Sequence, residues 1–345
     1  MLCLEIRHPW VGQSEFGLRP KSGFGSPHSK LGGYNGAMAP SMKEFRLTER
    51  RNPASRNFDR MSSLDMIRLM NHEDRKVANA VAREVPAIVR AVDEIVKRMH
   101  SGGRMIYVGA GSSGRLAILD AAECPPTFGV SRKQVQALIA GGRRAITHAV
   151  EGAEDSVKNA VRDLRRAKLS KKDVVVGVAA SATTPYVLGA IRTAKRIGAM
   201  TIGVAANRAG ELRKLARIFI APEVGPEVLT GSTRLKAGTA QKMVLNMLST
   251  AAMVQMGHAY ENLLIDMEMT NQKLEGRAVR ILQEASGRRA SSAEHALRGS
   301  GHKMRIGLVM LKRGISADEA RRLLRKSKGN LRLALGETDG SRGEG

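Results

Sequence analysis

Cysteine, aromatic residues and long apolar runs are all scarce in this chain of 345 residues. Cys3 and Cys124 are its two cysteines, too few for a disulfide framework. No apolar run approaches the roughly 20 residues that a transmembrane helix needs. The N-terminus does not read as a signal peptide either, since Arg7, His8 and Pro9 follow its first residues. These absences favour a cytoplasmic protein without a membrane partner.

The charge of the chain is strongly positive. Lys and Arg number 57 against 32 Asp and Glu, for a net charge of +25 at pH 7. Such an excess is typical of nucleic-acid-binding proteins, but here it is spread along the chain. Platforms for single-stranded nucleic acid also need interleaved aromatic residues, which make up 3% of this sequence. We therefore predict no nucleic-acid partner and interpret the basic surface as attractive to an anionic ligand.

A glycine-rich loop is the most informative feature that is present. The apolar run Arg104–Val108 predicts a buried parallel strand, and the letters after it are G-A-G-S-S-G-R. Glycines allow a tight turn and a close approach of the backbone to an anion. The N–H groups that open the next helix also favour negative charge. The candidate phosphate- and sugar-binding residues of this loop are Gly111, Ser112, Ser113, Gly114 and Arg115.

The same spacing fits the G-x-G-x-x-G pattern of dinucleotide-binding sites. That pattern normally brings a carboxylate about 20 residues later to hold the ribose. Here the next strand, 135–140, ends in Gly141-Gly142-Arg143-Arg144, without a carboxylate. The arginines could instead hold the extra phosphate of NADP. A structural interpretation also stays open, in which the glycine turn only packs the helix against the strand. Two hydroxyls inside the loop favour a phosphomonoester, because its dianion has more acceptor oxygens to satisfy.

Predicted strands and helices alternate through the middle of the chain. Strands are expected near 104–109, 135–140, 173–180, 200–206 and 216–221. Helices are expected near 113–122, 155–168, 185–197 and 236–259, after a long N-terminal helix over 75–99. Pro125 and Pro126 should end the helix that follows the glycine loop. The alternation predicts an α/β fold with a parallel sheet flanked by helices on both faces, with ligands at the carboxyl ends of the strands.

Six separated blocks resemble one known family. In chain order they begin at Leu47, Gly109, Ile139, Val150, Thr183 and Leu235, the last reading L-K-A-G-T-A-Q-K. From about Leu47 to Leu335 the chain is similar to the N-acetylmuramic acid 6-phosphate etherases, lyases of bacterial cell-wall recycling that carry a sugar isomerase (SIS) domain. The resemblance implies a SIS-type sheet, a sugar 6-phosphate substrate, a homodimer and no cofactor.

The resemblance also divides the chain. Residues 42–274 correspond to the SIS domain with its N-terminal helices, and 275–335 to a small all-helical C-terminal subdomain. Within that subdomain, Ser316 and Glu319 fit a helix capping box. Residues 1–41, rich in Gly, Ser and Pro, are expected to be a disordered leader or an artefact of start-site choice. Residues 336–345 are expected to form a disordered tail.

Glu123 and Glu154 carry the chemistry that the resemblance implies. Glu123 would be the acid that protonates the departing lactate, and Glu154 the base that removes a proton from the second carbon of the sugar. Spacing alone favours plainer roles: a surface carboxylate near a helix end for Glu123, and an acidic residue stabilised by a helix dipole for Glu154. The motif resemblance reverses that preference.

Two further loops are candidates for binding the phosphate or the sugar. Ser181 and Thr184 match the family pattern Ser-Gly-Arg-Thr-Pro, whereas Ala182 and Thr183 replace its Gly and Arg. Lys236, at the start of the last long helix, could reach an anion, although helix capping is the plainer role of its loop. The eight histidines show no metal-ligand spacing, so we expect no metal.

Two other functions stay open at this point. One is a non-catalytic, sugar-phosphate-binding regulator of the glucokinase regulatory protein type, a longer protein with tandem SIS domains. The other is an aldose–ketose sugar phosphate isomerase, which would also use a base beside a carbonyl. The etherase is favoured, because the chain has room for one SIS domain and keeps both glutamates.

Overall fold

A five-stranded parallel sheet lies at the centre of the computed structural model, which describes residues 47–337. Its strand order is β2-β1-β3-β4-β5, with every neighbouring pair parallel. The strands are β1 (Met105–Gly109), β2 (Val135–Ile139), β3 (Val174–Val178), β4 (Met200–Val204) and β5 (Ile218–Ile220). The predicted α/β fold with a parallel sheet is confirmed.

Helices precede, cover and follow this sheet. They are α1 (Ser63–Ala82), α2 (Val85–His100), α3 (Gly111–Phe128), α4 (Arg144–Thr147), α5 (Val157–Arg166), α6 (Pro185–Ile197), α7 (Glu211–Leu215), α8 (Lys236–Gln255), α9 (Gln272–Ser286), α10 (Ala290–Gly299), α11 (Met304–Arg313), α12 (Ala317–Lys326) and α13 (Leu331–Leu335). Short 3-10 turns lie at Leu47–Glu49, Pro53–Ser55, Phe58–Arg60 and Ala153–Asp155. A small antiparallel ribbon, β6 (Ala259–Tyr260) and β7 (Leu263–Leu264), was not predicted.

Both faces of the sheet are buried. Met105 and Tyr107 of β1 pack into a core formed with α1, α2, α3 and α8. Ile106 and Val108 point to the other face, into a core formed with α5 and α6. Because successive side chains of a strand alternate between faces, burial on both sides explains the continuous apolar run in the sequence.

A third hydrophobic cluster lies in the C-terminal helices and includes residues from Tyr260 to Leu335. Helix α12 opens with the predicted capping box, in which Ser316 accepts from the Glu319 N–H and the Glu319 carboxylate accepts from the Ser316 N–H. Glu337 also belongs to this region, because its carboxylate accepts from Tyr260 at 2.7 Å. The division at residues 274 and 275 stays a prediction.

The other domain predictions fall partly outside the described residues. The leader at 1–41 and residues 338–345 of the tail lie there. No helix within residues 47–337 combines the length and the apolar character that crossing a membrane requires.

The long helix expected over 75–99 is two helices. The helix is interrupted between Ala82 and Val85. Pro86 lies in the first turn of α2, where its missing N–H removes no helical hydrogen bond. Glu84 lies buried in the break, and its carboxylate accepts from Arg208 at 2.6 Å and from the Ala221 N–H at 3.1 Å. These distant partners stabilise the break, and the local spacing of apolar residues carried no sign of them.

The prediction that Pro125 and Pro126 end α3 is wrong. Both lie inside the helix, which continues to Phe128. Their missing N–H groups remove two hydrogen bonds, but the residues that follow can still donate to carbonyls one turn back. The helix ends instead at Gly129, which has a φ of 62° and donates to the Pro125 carbonyl at 2.8 Å.

An ion pair joins the amino ends of two central strands. Asp173, directly before β3, accepts from the Arg104 guanidinium at 2.8 Å, from the Arg104 N–H at 2.9 Å and from the Ser170 N–H at 2.8 Å. Burial opposes ionisation of Asp173, but the hydrogen bonds from Arg104 and Ser170 outweigh it and lower the pKa of the carboxyl. A lowered pKa in the folded state means that the ionised form stabilises the fold.

We expect Asp173→Asn to lower the free energy of unfolding at pH 7 by about 3 kcal/mol, because Arg104 loses its counter-charge. The difference in free energy of unfolding between the variant and wild type should be complete above about pH 3.9, the pKa of an Asp carboxyl in the unfolded chain. It should shrink as the pH falls below that value and through the lower pKa of Asp173 in the folded state. Urea unfolding at a series of pH values measures it. Asp318→Asn is the matched control. Asp318 forms an exposed ion pair with Arg321, so this substitution should change the free energy of unfolding by less than about 1 kcal/mol.

Candidate active site

Three strands end at the same level at one edge of the sheet. In the register of the sheet, Gly109 of β1 lies beside Ile139 of β2 and Val178 of β3. The loops that follow these strands therefore begin side by side. The predicted binding residues at 111–115 form the start of α3, and those at 181–184 and Glu154 lie in the loops after β3 and β2. Glu123 lies farther along α3, and Lys236 at the start of α8.

The first loop brings the start of α3 to this edge. Gly111 has a φ of 53°, a conformation that favours glycine. At Gly114 an added Cβ would lie 2.6 Å from Cγ1 of Ile139, so glycine allows α3 to pack closely on β2. Ala110 precedes the helix, and among residues 47–337 no side chain caps it. The N–H groups at the start of α3 are thus available to an anion.

The polar side chains of this loop have partners within the protein. Ser113 is buried and donates from its hydroxyl to Oε1 of Gln241 at 2.9 Å, while Ser112 is half-buried. Arg115 donates to the carbonyls of Ile146 and His148 at 2.9 and 3.1 Å. Arg115 therefore ties the loop that carries Glu154 to the first turn of α3, and its contact with substrate stays a prediction.

The second loop gathers three hydroxyls at the start of α6. The Ser181 Oγ accepts from the Thr183 hydroxyl at 3.2 Å and lies 3.4 Å from the Thr184 hydroxyl. Between them, buried Ala182 has a φ of 61°, in the left-handed region. This is the position where the family pattern has Gly, so the substitution costs on the order of 1 kcal/mol of backbone strain.

The backbone of Ala182 rests directly against Gly210. The Leu212 N–H donates to the Ala182 carbonyl at 3.0 Å, and a Cβ at Gly210 would lie 2.6 Å from the Ala182 Cβ and 2.9 Å from its carbonyl oxygen. Asn207 holds the same loop from another side by donating to the Ala180 carbonyl and to the Thr48 hydroxyl, both at 3.0 Å. The N-terminal block around Thr48 is thereby fixed near this edge.

We expect Gly210→Ala to displace the second loop, because the new methyl group overlaps backbone atoms of Ala182. It should raise KM for a phosphorylated sugar by about tenfold or more and cost about 1–3 kcal/mol of stability. Steady-state kinetics and thermal unfolding measure both effects. Gly314→Ala is the control: its φ is 64°, and no described atom lies within 4 Å of the added Cβ. A normal KM in Gly210→Ala would show that the second loop does not bind substrate.

The two candidate catalytic glutamates lie far apart in a single chain. Glu154 is exposed in the 3-10 turn after β2, at the same edge as the glycine loop. Glu123 is exposed on α3, twelve residues beyond Gly111. At 1.5 Å per residue, α3 carries it about 18 Å away from the start of the helix. One copy of the chain therefore does not bring Glu123 to the glycine loop.

A buried polar network lies directly beneath Glu123. Asp120 accepts from Tyr107 and Asn246, both at 2.7 Å, and from Ser249 at 3.0 Å. Burial raises the pKa of Asp120, and these three donors act against that rise. The network joins β1, α3 and α8, so it fixes the part of α3 from which Glu123 extends. Burial also raises the pKa of Cys124 to about 12, which excludes a reactive thiolate there at neutral pH.

Lys236 lies in a buried ion pair with Glu73 of α1. Both side chains are almost fully buried. Burial opposes ionisation of Glu73, but contacts with Lys236 and Lys76 lower its pKa. The start of α8 is capped by Glu227, which accepts from the N–H groups of Lys236 and Ala237 at 3.1 and 2.9 Å. The lysine ammonium is thus held by a carboxylate, and its role toward substrate stays a prediction.

Sequence reasoning assigned no role to several residues that hold these elements in place: Glu73, Asp120, Asn207, Glu227 and Gln241. Gln241 lies inside the last of the six blocks, so its position in a motif was visible although its hydrogen bond was not. Within residues 47–337 no group of three or more His, Cys, Asp or Glu side chains is arranged to hold a metal ion.

Comparison with known proteins identifies the family. A relative from Clostridium beijerinckii named N-acetylmuramic acid 6-phosphate etherase is 50% identical over 292 residues, covering 85% of this chain and 96% of its own length. A second, of the same name, from Yersinia pestis (strain Pestoides F) is 50% identical over 84% of this chain and 98% of its own. The chain belongs to the N-acetylmuramic acid 6-phosphate etherase family. The resemblance found in the six blocks is confirmed.

Part of the sheet and its flanking helices in this etherase-family chain matches a SIS-domain model. The family model for the glucokinase regulatory protein N-terminal SIS domain matches residues 87–195, from α2 to α6. A solved structure of a phosphoheptose isomerase from Francisella tularensis is 17% identical and covers 56% of this chain and 98% of its own, with a TM-score of 0.44. The family-model match confirms the predicted SIS-type fold.

Proposed function

We propose that this chain cleaves the lactyl ether of N-acetylmuramic acid 6-phosphate. It eliminates D-lactate and adds water, which gives N-acetylglucosamine 6-phosphate. The observation that carries this proposal is 50% identity with etherases over 85% of the chain. The reaction needs two proton-transfer groups and a phosphate anchor but no redox cofactor, and we place it in the cytoplasm.

The first step is a proton abstraction. Ring opening exposes an aldehyde at the first carbon and so acidifies the proton on the second. Glu154 takes this proton as the general base. Its place after β2, beside the start of α3, supports this assignment, because a sugar anchored there extends along the same edge.

The second step breaks the ether bond. Electrons from the second carbon form the double bond between the second and third carbons, and lactate departs from the third. Glu123 donates a proton to the ether oxygen, so that lactate leaves as its hydroxy acid anion. Water then adds to the third carbon of the unsaturated aldehyde, assisted by the deprotonated Glu123, and a proton returns to the second carbon.

Two helix starts are available for the substrate oxygens. The uncapped N-terminus of α3 and the three hydroxyls at the start of α6 follow neighbouring strands, β1 and β3. Helix N-termini and hydroxyls both suit a phosphate dianion. We assign the phosphate and its sugar to the space between these two loops.

Glu123 has to come from a second copy of the chain. It is about 18 Å along α3 from the loop that anchors the sugar, farther than its side chain can span. Leu119, one turn before it on α3, is exposed on the same stretch of the helix. A symmetric dimer that covers this face of α3 would bury Leu119 and bring the partner's Glu123 toward the sugar.

The decisive measurement is D-lactate release from N-acetylmuramic acid 6-phosphate by the purified chain. Etherase activity gives lactate and N-acetylglucosamine 6-phosphate in equal amounts. A non-catalytic regulator would bind sugar phosphates without turnover, and an isomerase would interconvert aldose and ketose phosphates without lactate. Absence of lactate with a binding-competent protein would refute the proposal.

A further inference from the structure

Gln241 is a buried amide with an unused hydrogen-bonding atom. It lies on α8 and is 1% exposed. Its Oε1 accepts from Ser113, at the third position of α3, whereas its Nε2 is buried and has no hydrogen-bond partner among the described residues. Exchanging the amide oxygen and nitrogen does not help, because one of the two atoms then still lacks a partner.

An unpaired amide group in this position is costly. A buried donor without an acceptor destabilises a protein by about 1–3 kcal/mol, and an apolar side chain of the same shape would avoid this cost. The other buried polar groups nearby are paired: Asp120 has three donors, and Glu227 has two. An acceptor supplied by a bound ligand would pair the Gln241 amide as well.

The surroundings of Gln241 favour an oxygen as that acceptor. Ser113 places the amide beside the first turn of α3, whose N–H groups have no side-chain cap among residues 47–337. The neighbouring helix α8 differs, because the carboxylate of Glu227 already occupies its N-terminus. Free backbone donors and a free amide donor thus meet at one place, where an electron-rich ligand can satisfy both.

We propose that Gln241 binds substrate, with its amide donating a hydrogen bond to an acceptor oxygen of the sugar phosphate. Ser113 holds the amide in position, so its hydroxyl acts through Gln241. The identity of the substrate rests on the proposed etherase function, but the hydrogen bond requires only a phosphorylated sugar. The oxygen belongs either to the phosphate or to the sugar, and separate ligands distinguish the two.

Gln241→Met tests this role, because Met keeps the length of the side chain without its amide. Calorimetric titration with N-acetylglucosamine 6-phosphate should give a Kd raised by about 10- to 100-fold, the effect of losing a hydrogen bond to a charged or strongly polar oxygen. The melting temperature without ligand should change little, because removal of the unpaired amide donor is offset by loss of the acceptor of the Ser113 hydroxyl. Gln255→Met, an exposed substitution at the end of the same helix, should leave Kd unchanged.

A second variant removes the risk of a misfolded protein. Gln241→Met leaves the Ser113 hydroxyl without its acceptor, so the double variant with Ser113→Ala removes both groups of the pair. It should fold and show the same weakened Kd. If inorganic phosphate also binds more weakly, the acceptor is a phosphate oxygen; if only the phosphorylated sugar does, it is a sugar oxygen.

Unchanged binding of both ligands by folded Gln241→Met would overturn the proposal. The proposal would also be overturned if Gln241→Met bound ligand more weakly and melted at a lower temperature while the stable double variant bound normally. These titrations use no turnover, so their outcome is separate from that of the lactate assay. In an active enzyme, Gln241→Met should raise KM more than it lowers kcat.

Discussion

Glu154→Ala is expected to stop both lactate release and the exchange of the second-carbon proton with heavy water. If Glu154 is the base, no other step of the reaction can begin without it. Proton exchange is measured by NMR as deuterium incorporation into N-acetylglucosamine 6-phosphate, and lactate by a coupled assay. Glu151→Ala, an exposed substitution three residues earlier in the same loop, should leave both measurements unchanged.

Glu123→Ala should behave differently in one of these assays. Loss of the acid should slow lactate release by about 10²- to 10⁴-fold, the usual contribution of general acid catalysis. Deuterium exchange at the second carbon should persist, because Glu154 remains to remove that proton. Equal exchange in both variants would refute this division of roles. Exchange lost only in Glu123→Ala would mean that the acid and the base are reversed.

Much of the fold was predictable because its signals are local. Residues 105–108, directly before Gly109, are all hydrophobic because β1 is buried on both faces. Ser316 and Glu319 form their capping box within one helical turn. The alternation of strands and helices was enough to predict a parallel sheet, and the glycine loop follows β1 at its carboxyl edge, where the candidate ligand site lies.

One of the two failed helix predictions depended on distant contacts. The break at Glu84 is stabilised by Arg208 and Ala221, more than 120 residues away. Pattern and propensity describe neighbours in sequence, so they carry no information on such partners. The other failure was local: α3 continues through both prolines and ends at Gly129, four residues after Pro125.

The candidate site was predictable in its residues but not in its assembly. Resemblance named Glu123 and Glu154, and the loops were recognisable from their Gly, Ser and Thr. The helix predicted over 113–122 already separated Glu123 from the glycine loop, and α3 keeps that separation while it extends to Phe128. The pairing of Ser113 with Gln241 and of Lys236 with Glu73 joins elements more than 120 residues apart in the chain.

A dimer of Glu123→Ala with Glu154→Ala is expected to recover activity that neither variant has alone. In a shared site, Glu154 of one subunit works with Glu123 of its partner. The mixed dimer then contains one complete site and one that lacks both glutamates. Its turnover per dimer should be about half that of wild type, as two-fold symmetry requires. Coexpression with two different affinity tags and tandem purification isolates the mixed dimer.

The reciprocal pairing gives the opposite result and serves as the matched control. A dimer of wild type with the double variant Glu123→Ala, Glu154→Ala has one glutamate missing from each shared site, so it should be inactive. If each site used two glutamates of the same chain, this second dimer would keep about half the activity and the first would have none. The two dimers carry the same four side chains and differ only in how these are divided between subunits. Their activities therefore report which subunit supplies Glu123, independently of any change in stability.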